Sequence, residues 1–182
     1  MERSLGTDEL KAVIRAMDEA AGKAGAKNVR IILCGGLAAI AYGMEGRATL
    51  DVDAEIDAGY RIIEKIKKNI SVPAELTTDI SRWSMIDIPD GYRERAAPLD
   101  LAKTKNIRVF VLAPVDLIIS KLRVFRDKDI QDALFLIKKF SIGKADIMKA
   151  SKRAINQSPP STEIMRFRKS VNHFVKLAWP HG

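Results

Sequence analysis

The sequence has a single cysteine, Cys34, among its 182 residues, so no disulfide can form within the chain. Cys34 ends an apolar run and reads as a small buried hydrophobe rather than a nucleophile. No apolar run approaches the ~20 residues of a membrane-spanning helix. The start, "MERSLGTDELKAV", lacks the apolar core of a secretory signal. Together these absences lead us to expect a cytoplasmic protein without a membrane partner. The two histidines, His173 and His181, stand apart from cysteine and from acidic clusters, so no zinc spacing is present. No Ser/His/Asp arrangement has support. Neither G-x-x-x-x-G-K-[ST] nor G-x-G-x-x-G occurs, which excludes a P-loop and a dinucleotide fingerprint. There is no internal repeat and no low-complexity tract.

Acidic residues are scarce in the last third. From Lys121 onward there are 14 Lys/Arg against 5 Asp/Glu, whereas the first 120 residues carry 17 against 18. The net charge of +8 therefore belongs to the C-terminal part. Such a surface either faces solvent without a partner or meets a polyanion such as RNA, DNA or nucleotide phosphates.

The remaining 47% hydrophobic content is enough for a buried core. "TDELKAVIRAMDEAAGKAG" puts Leu10, Val13, Ile14 and Met17 on one helical face, with Thr7 as its expected cap. "VRIILC" reads as a buried strand and "GLAAIAYGM" as a helix that starts at a glycine pair. "TLDVDAEID" alternates, with Leu50, Val52, Ala54 and Ile56 on one face and Asp51, Asp53, Glu55 and Asp57 on the other. "AGYRIIEKIKKNI" is a helix, and "RWSMIDI" and "IRVFVL" are strands. The stretch between those two is turn-rich, and Tyr92, Arg93 and Arg95 lie in it as a solvated or ligand-contacting loop. Trp83 is expected in the core. From Pro114 only helices follow, the last of them capped by Ser161 or Thr162. The organisation is thus an α/β (α+β) section over residues 1–113 and a helical region over 114–182 packed on it.

The chemistry concentrates in "LCGGLAAIAYGMEGRATLDVDAEID". Residues i and i+2 of a strand share a face, which would aim Asp51 and Asp53 together at roughly 7 Å between Cα atoms. Two such carboxylates repel unless a cation sits between them, and a hard divalent ion, Mg²⁺ or Mn²⁺, suits them. Gly35 and Gly36 form a turn that lets backbone N–H groups approach an anion, with a helix start behind them. Phosphate at the glycines and metal at the aspartates together suit phosphoryl or nucleotidyl transfer. An exposed acidic strand beside an ordinary turn is the plain alternative. Lys121 and Asp132, on successive helices, also read as a surface lysine and a helix-start acid. Ion pairing of Arg123 and Arg126 with Asp127, Asp129 and Asp132 accounts equally for "RVFRDKDIQD".

In these residues the chain resembles the nucleotidyltransferase fold of the DNA polymerase β superfamily, whose motif is an apolar strand, Gly-Gly or Gly-Ser, a spacer and Asp-x-Asp. Within it, "GGLAAIAYGMEGRATLDVD" and "DLIISKLRVFRDKDIQDALFLIK" look most like the minimal branch of the AbiEii abortive-infection toxins. The resemblance spans roughly Leu33 to Lys139. It implies a mixed sheet flanked by helices, a nucleoside triphosphate as substrate, and transfer of its monophosphate to an RNA, tRNA or protein hydroxyl. A toxin–antitoxin role with a protein partner belongs to the same expectation. Gly35 and Gly36 would hold the triphosphate, and Asp51 and Asp53 the Mg²⁺ or Mn²⁺. Arg47 and Thr49 would support the turn, with Arg47 near phosphate. Lys121 would reach the nucleotide phosphates, and Asp132 would act near the centre or orient Lys121. Asp87 is the candidate third metal carboxylate, with Asp132 the alternative. Two departures stand out: Gly36 replaces a serine whose hydroxyl often contacts phosphate, and the third carboxylate is not obvious. A module of the same fold that binds nucleotide or RNA without turnover is the competing expectation.

Overall fold

The computed structural model describes residues 5–180. These residues form two compact units, one within 1–80 and 96–112, the other within 81–95 and 113–182.

The first unit holds a five-stranded mixed sheet in the order β3-β2-β1-β5-β4. Its strands are β1 (Val29–Leu33), β2 (Val52–Asp57), β3 (Ala74–Thr77), β4 (Ala97–Pro98) and β5 (Ile107–Val111). β1 runs antiparallel to β2 and parallel to β5, and β3 runs parallel to β2. Period-two alternation splits the sheet into two faces. Val29, Ile31 and Leu33 of β1, Val52, Ala54 and Ile56 of β2, and Ile107 and Val109 of β5 belong to one buried cluster. The helices α1 (Thr7–Lys23) and α3 (Tyr60–Asn69) supply its other half through Leu10, Ile14, Met17, Ile63 and Ile66. Full burial of side chains this size stabilises by about 1.5–3 kcal/mol each. The other face carries the charged residues, among them Arg30, Asp53, Glu55, Glu75 and Arg108, and the Arg30 guanidinium stacks 4.0 Å from the centroid of the Phe110 ring.

The α1–β5 junction is tied by one side chain. Asp18 Oδ1 accepts from the backbone N–H groups of Lys105, Asn106 and Ile107, at 3.0, 2.7 and 3.1 Å. Thr7 is the first helical residue of α1, not its side-chain cap; the cap position is Gly6, whose N–H donates to Glu9 Oε2 at 3.1 Å.

The second unit is helical: α4 (Tyr92–Arg95), α5 (Pro114–Val124), α6 (Asp127–Phe140), α7 (Lys144–Gln157) and α8 (Glu163–Ala178). Leu117, Leu122, Leu136, Ile147, Phe167 and Phe174 are buried. Segment 81–95 is fastened to it by polar contacts. Asp87 N–H donates to Ser158 Oγ, Asp90 N–H to Gln157 Oε1, and Arg153 Nη2 to the Asp90 carbonyl. Arg95 grips Asp116 with two bonds of 2.9 Å and also donates to the Pro89 and Asp90 carbonyls.

Four expectations are corrected here. "RWSMIDI" is not a strand: Ile80–Trp83 is a 3₁₀ turn, and Trp83 is 37% exposed instead of lying in the core. Ser84 Oγ accepts the Ile86 N–H two residues on, so a local turn takes up backbone that a strand would pair. Tyr92, Arg93 and Arg95 lie in the single helical turn α4, not in a loop; Tyr92 is buried and Arg95 is the anchor just described. Thr162 takes the N-cap position of α8 but makes no side-chain cap bond. Among the described residues no helix is long and apolar enough to cross a membrane.

Candidate functional site

The stretch with the Gly-Gly and Asp-x-Asp motifs folds as strand, turn, short helix and strand. β1 ends at Leu33, and Cys34 N–H donates to the Asp53 carbonyl at 3.0 Å, which fixes the turn against β2. α2 (Gly35–Ala41) begins at once, with Leu37, Ala38, Ala39 and Ile40 buried.

Both glycines are demanded by what lies against them. Gly35 has φ +58°, in the left-handed region. A Cβ there would overlap Asp53 Oδ2 and come within 2.8 Å of its Cγ. A Cβ on Gly36 would meet Thr49 Oγ1 at 2.8 Å, Thr49 Cβ at 2.9 Å and Arg47 Nη2 at 3.0 Å. The absence of serine at position 36 thus has a steric cause: Thr49 occupies that space and brings a hydroxyl of its own. Thr49 is held firmly. Its backbone forms an isolated bridge with Leu5, with bonds of 2.7 and 3.3 Å, and its Oγ1 donates to Asp51 Oδ1 at 2.7 Å. Arg47 folds back, its Nη1 donating to the Ala48 carbonyl.

The aspartates differ from the strand expectation. β2 begins at Val52, so Asp53 lies in the strand while Asp51 lies in the bend before it, and Leu50 is 46% exposed. The Leu5 bridge and the Thr49–Asp51 bond shape residues 49–51 as a turn, which withdraws them from the ladder. Asp53 is half-buried over Gly35, and Asp51 is exposed.

Sequence reasoning missed Glu75. It is the register partner of Asp53 on the parallel neighbour β3, and it is exposed. Neighbours in register point to one face, so Glu75 adds a carboxylate beside Asp53. The strand that carries it, "AELT", is too short for an apolar pattern to reveal. Among the described residues no three His, Cys, Asp or Glu side chains are arranged as a metal-holding group. The donors at the motif are hard carboxylate oxygens, with Asp53, Thr49 and Arg47 already packed over the glycines. Oxygen donors of this kind suit Mg²⁺ or Mn²⁺, ions that keep water and phosphate as further ligands. Asp51 and Asp53 would hold such an ion. With α2 only seven residues long, the turn offers close backbone approach more than a helix dipole.

Asp87, Lys121 and Asp132 belong to the second unit. Asp87 is half-buried, its backbone tied to Ser158. Lys121 and Asp132 are both buried and form an ion pair of 2.6 Å, and Lys121 also meets Asp129 at 3.3 Å. Lys121 is thus a cation paired with these helix-start acids, and the pairing locks α5 to α6. Arg123 Nη2 donates to the Ser81 carbonyl.

A mixed sheet, a Gly-Gly turn packed under Asp53 of β2 and flanking helices define a nucleotidyltransferase-like α/β fold. The chain belongs to the family described as "Nucleotidyltransferase of unknown function (DUF6036)", whose profile matches residues 8–180. It is similar in fold to the crystal structure of an antigenic nucleotidyltransferase-like protein from Paracoccidioides brasiliensis, at 15% identity and a TM-score of 0.53. That likeness covers 96% of this chain and 91% of the other. No curated protein sequence matches the chain.

Proposed function

We propose that the protein transfers a nucleoside monophosphate from a nucleoside triphosphate to a hydroxyl of RNA or protein, with Mg²⁺ or Mn²⁺ bound at Asp51 and Asp53. The observation that carries this reading is the interlock of Gly35 with Asp53 and of Gly36 with Thr49. It leaves Gly35 and Gly36 without side chains of their own and sets the Asp53 carboxylate, the Thr49 hydroxyl and the Arg47 guanidinium against the turn, beside which the phosphates would lie. The bound divalent ion would supply charge neutralisation at the transferred phosphoryl group and acidify the attacking hydroxyl. The chain's own residues do the rest. Thr49 fixes the orientation of Asp51, Asp53 braces the turn against β2, and Arg47, beside Gly36, adds positive charge next to the phosphates. Lys121, kept in place by Asp132, is assigned to the nucleotide phosphates on the family resemblance. The AbiEii-like branch, a toxin–antitoxin role with a protein partner and a cytoplasmic location belong to the same proposal.

A second reading, binding without turnover, draws support from Gly36 in place of serine and from the lack of a three-carboxylate group among the described residues. One pair of measurements separates the two. Nucleotide binding is titrated with and without Mn²⁺, in the wild type and in Asp51→Ala/Asp53→Ala, and product is assayed in the same samples. Transfer predicts metal-dependent binding with product, both lost in the double variant. Binding without product supports the module, and metal-independent binding contradicts the site.

A further inference from the structure

The motif leaves one large feature of the molecule unused. The second unit carries 17 Lys/Arg against 9 Asp/Glu, and the first carries 14 of each, so the whole net charge of +8 resides in the second. On α7, Lys149, Lys152 and Arg153 are exposed, and on α8 Arg168, Lys169 and Lys176 are exposed. The acids of these helices are already engaged. Asp146 Oδ2 accepts the Gly143 N–H at the start of α7, and Glu163 pairs with Arg166 at 2.8 Å. Among the described residues, none of the five cations other than Arg153 meets a carboxylate or another bonding partner, and Arg153 donates to the Asp90 carbonyl. A helix rises ~1.5 Å per residue. Lys149, Lys152 and Arg153 thus form a short cationic ridge on a scale comparable to the spacing of successive phosphates.

Three polyanionic surfaces could meet such a ridge, and the structure favours one. Insertion into a membrane surface needs an apolar helix face, yet that of α7 (Ile147, Ala150, Ala154) and that of α8 (Phe167, Val171, Phe174) are buried inside the unit. Protein interfaces are depleted in lysine at their centres. A phosphate backbone needs only unneutralised, exposed cations. We infer that the exposed ridge of α7, extended by α8, is a sequence-independent RNA-binding face that holds the acceptor strand. The choice of RNA rests on the transfer reading above, since a ribonucleotide chain supplies acceptor hydroxyls along with phosphates. The binding itself does not require that reading.

The test is fluorescence anisotropy of the full chain with a labelled RNA hairpin across a salt series, for wild type, Lys149→Ala/Lys152→Ala and Asp51→Ala/Asp53→Ala. Both lysines are exposed and without partners, so the α7 variant should fold, as circular dichroism would verify. The expected result is linear salt dependence in the wild type and a fall of about 1.5–2 in the magnitude of the log–log slope for the α7 variant. The aspartate variant should keep the wild-type slope, and the α7 variant should keep wild-type nucleotide binding. An unchanged slope and affinity in the α7 variant overturns the inference. So does displacement of RNA by polyglutamate at equal charge concentration, which would mark a generic acidic-protein surface. Failure of nucleotidyl transfer with these RNA results intact would overturn only the transfer reading.

Discussion

The two units solve the problem of buried and exposed charge in opposite ways. The first is electrically neutral and gathers its unusual polar geometry at one turn, where two glycines make room for Asp53, Thr49 and Arg47. The second is strongly cationic at its surface, yet its buried carboxylates are met by cations from other helices, Asp132 by the buried Lys121 and Asp116 by the exposed Arg95. Charge in the first unit is packed against the backbone of that turn. Buried charge in the second is held by partners within the protein, while its surface charge faces solvent.

That contrast can be broken by substitution. The largest stability effect should come from Asp132→Ala, which leaves the Lys121 ammonium buried without its closest carboxylate; removing one partner of a buried pair costs about 3–5 kcal/mol. Denaturant unfolding would measure it, and a loss under about 1 kcal/mol would show that Asp129 alone satisfies the lysine. Next is Asp18→Ala in the first unit, which strands three backbone donors of the α1–β5 junction at a cost of about 1–3 kcal/mol. Asp18→Asn, which keeps one acceptor oxygen, should lose less. A double-mutant cycle then sharpens the account of the motif. Gly36→Ser should cost about 1–3 kcal/mol through overpacking against Thr49. Gly36→Ser with Thr49→Ala should recover most of it, because the clash is with the threonine side chain. Additive losses would mean that Gly36 is required for its backbone alone. The smallest effect should be that of Glu75→Gln, an exposed position expected to change stability by no more than about 0.5 kcal/mol. If Glu75 contributes to the field at Asp53, Mn²⁺ affinity should fall modestly in this variant, as paramagnetic resonance would detect.

Much of this was legible in the sequence, and the reasons differ by region. Long amphipathic patterns such as "TDELKAVIRAMDEAAGK", and apolar runs such as "VRIIL" and "IRVFV", announce their elements because burial follows one period. The motif glycines were legible as a turn, but the cause of Gly36 was not, because Thr49 reaches it only through the fold. β3 and its Glu75 escaped notice because four half-exposed residues at a sheet edge carry no periodicity. Trp83 misled because aromatic residues usually pack inside, whereas here a 3₁₀ turn takes it to the surface. The anchoring of segment 81–95 depends on hydrogen bonds across 60 or more positions, such as Asp87 with Ser158 and Asp90 with Gln157, which no local pattern encodes.

We propose that the Gly-Gly turn, with Asp53 of β2 and Asp51 in the bend before it, forms a nucleotidyl-transfer site. Its most direct test is incubation of the wild type and of folded Asp53→Ala with each α-labelled nucleoside triphosphate, Mg²⁺ or Mn²⁺, and total RNA. The account predicts label on RNA or protein with the wild type for at least one nucleotide, and none with Asp53→Ala. Equal labelling by the two proteins would contradict it.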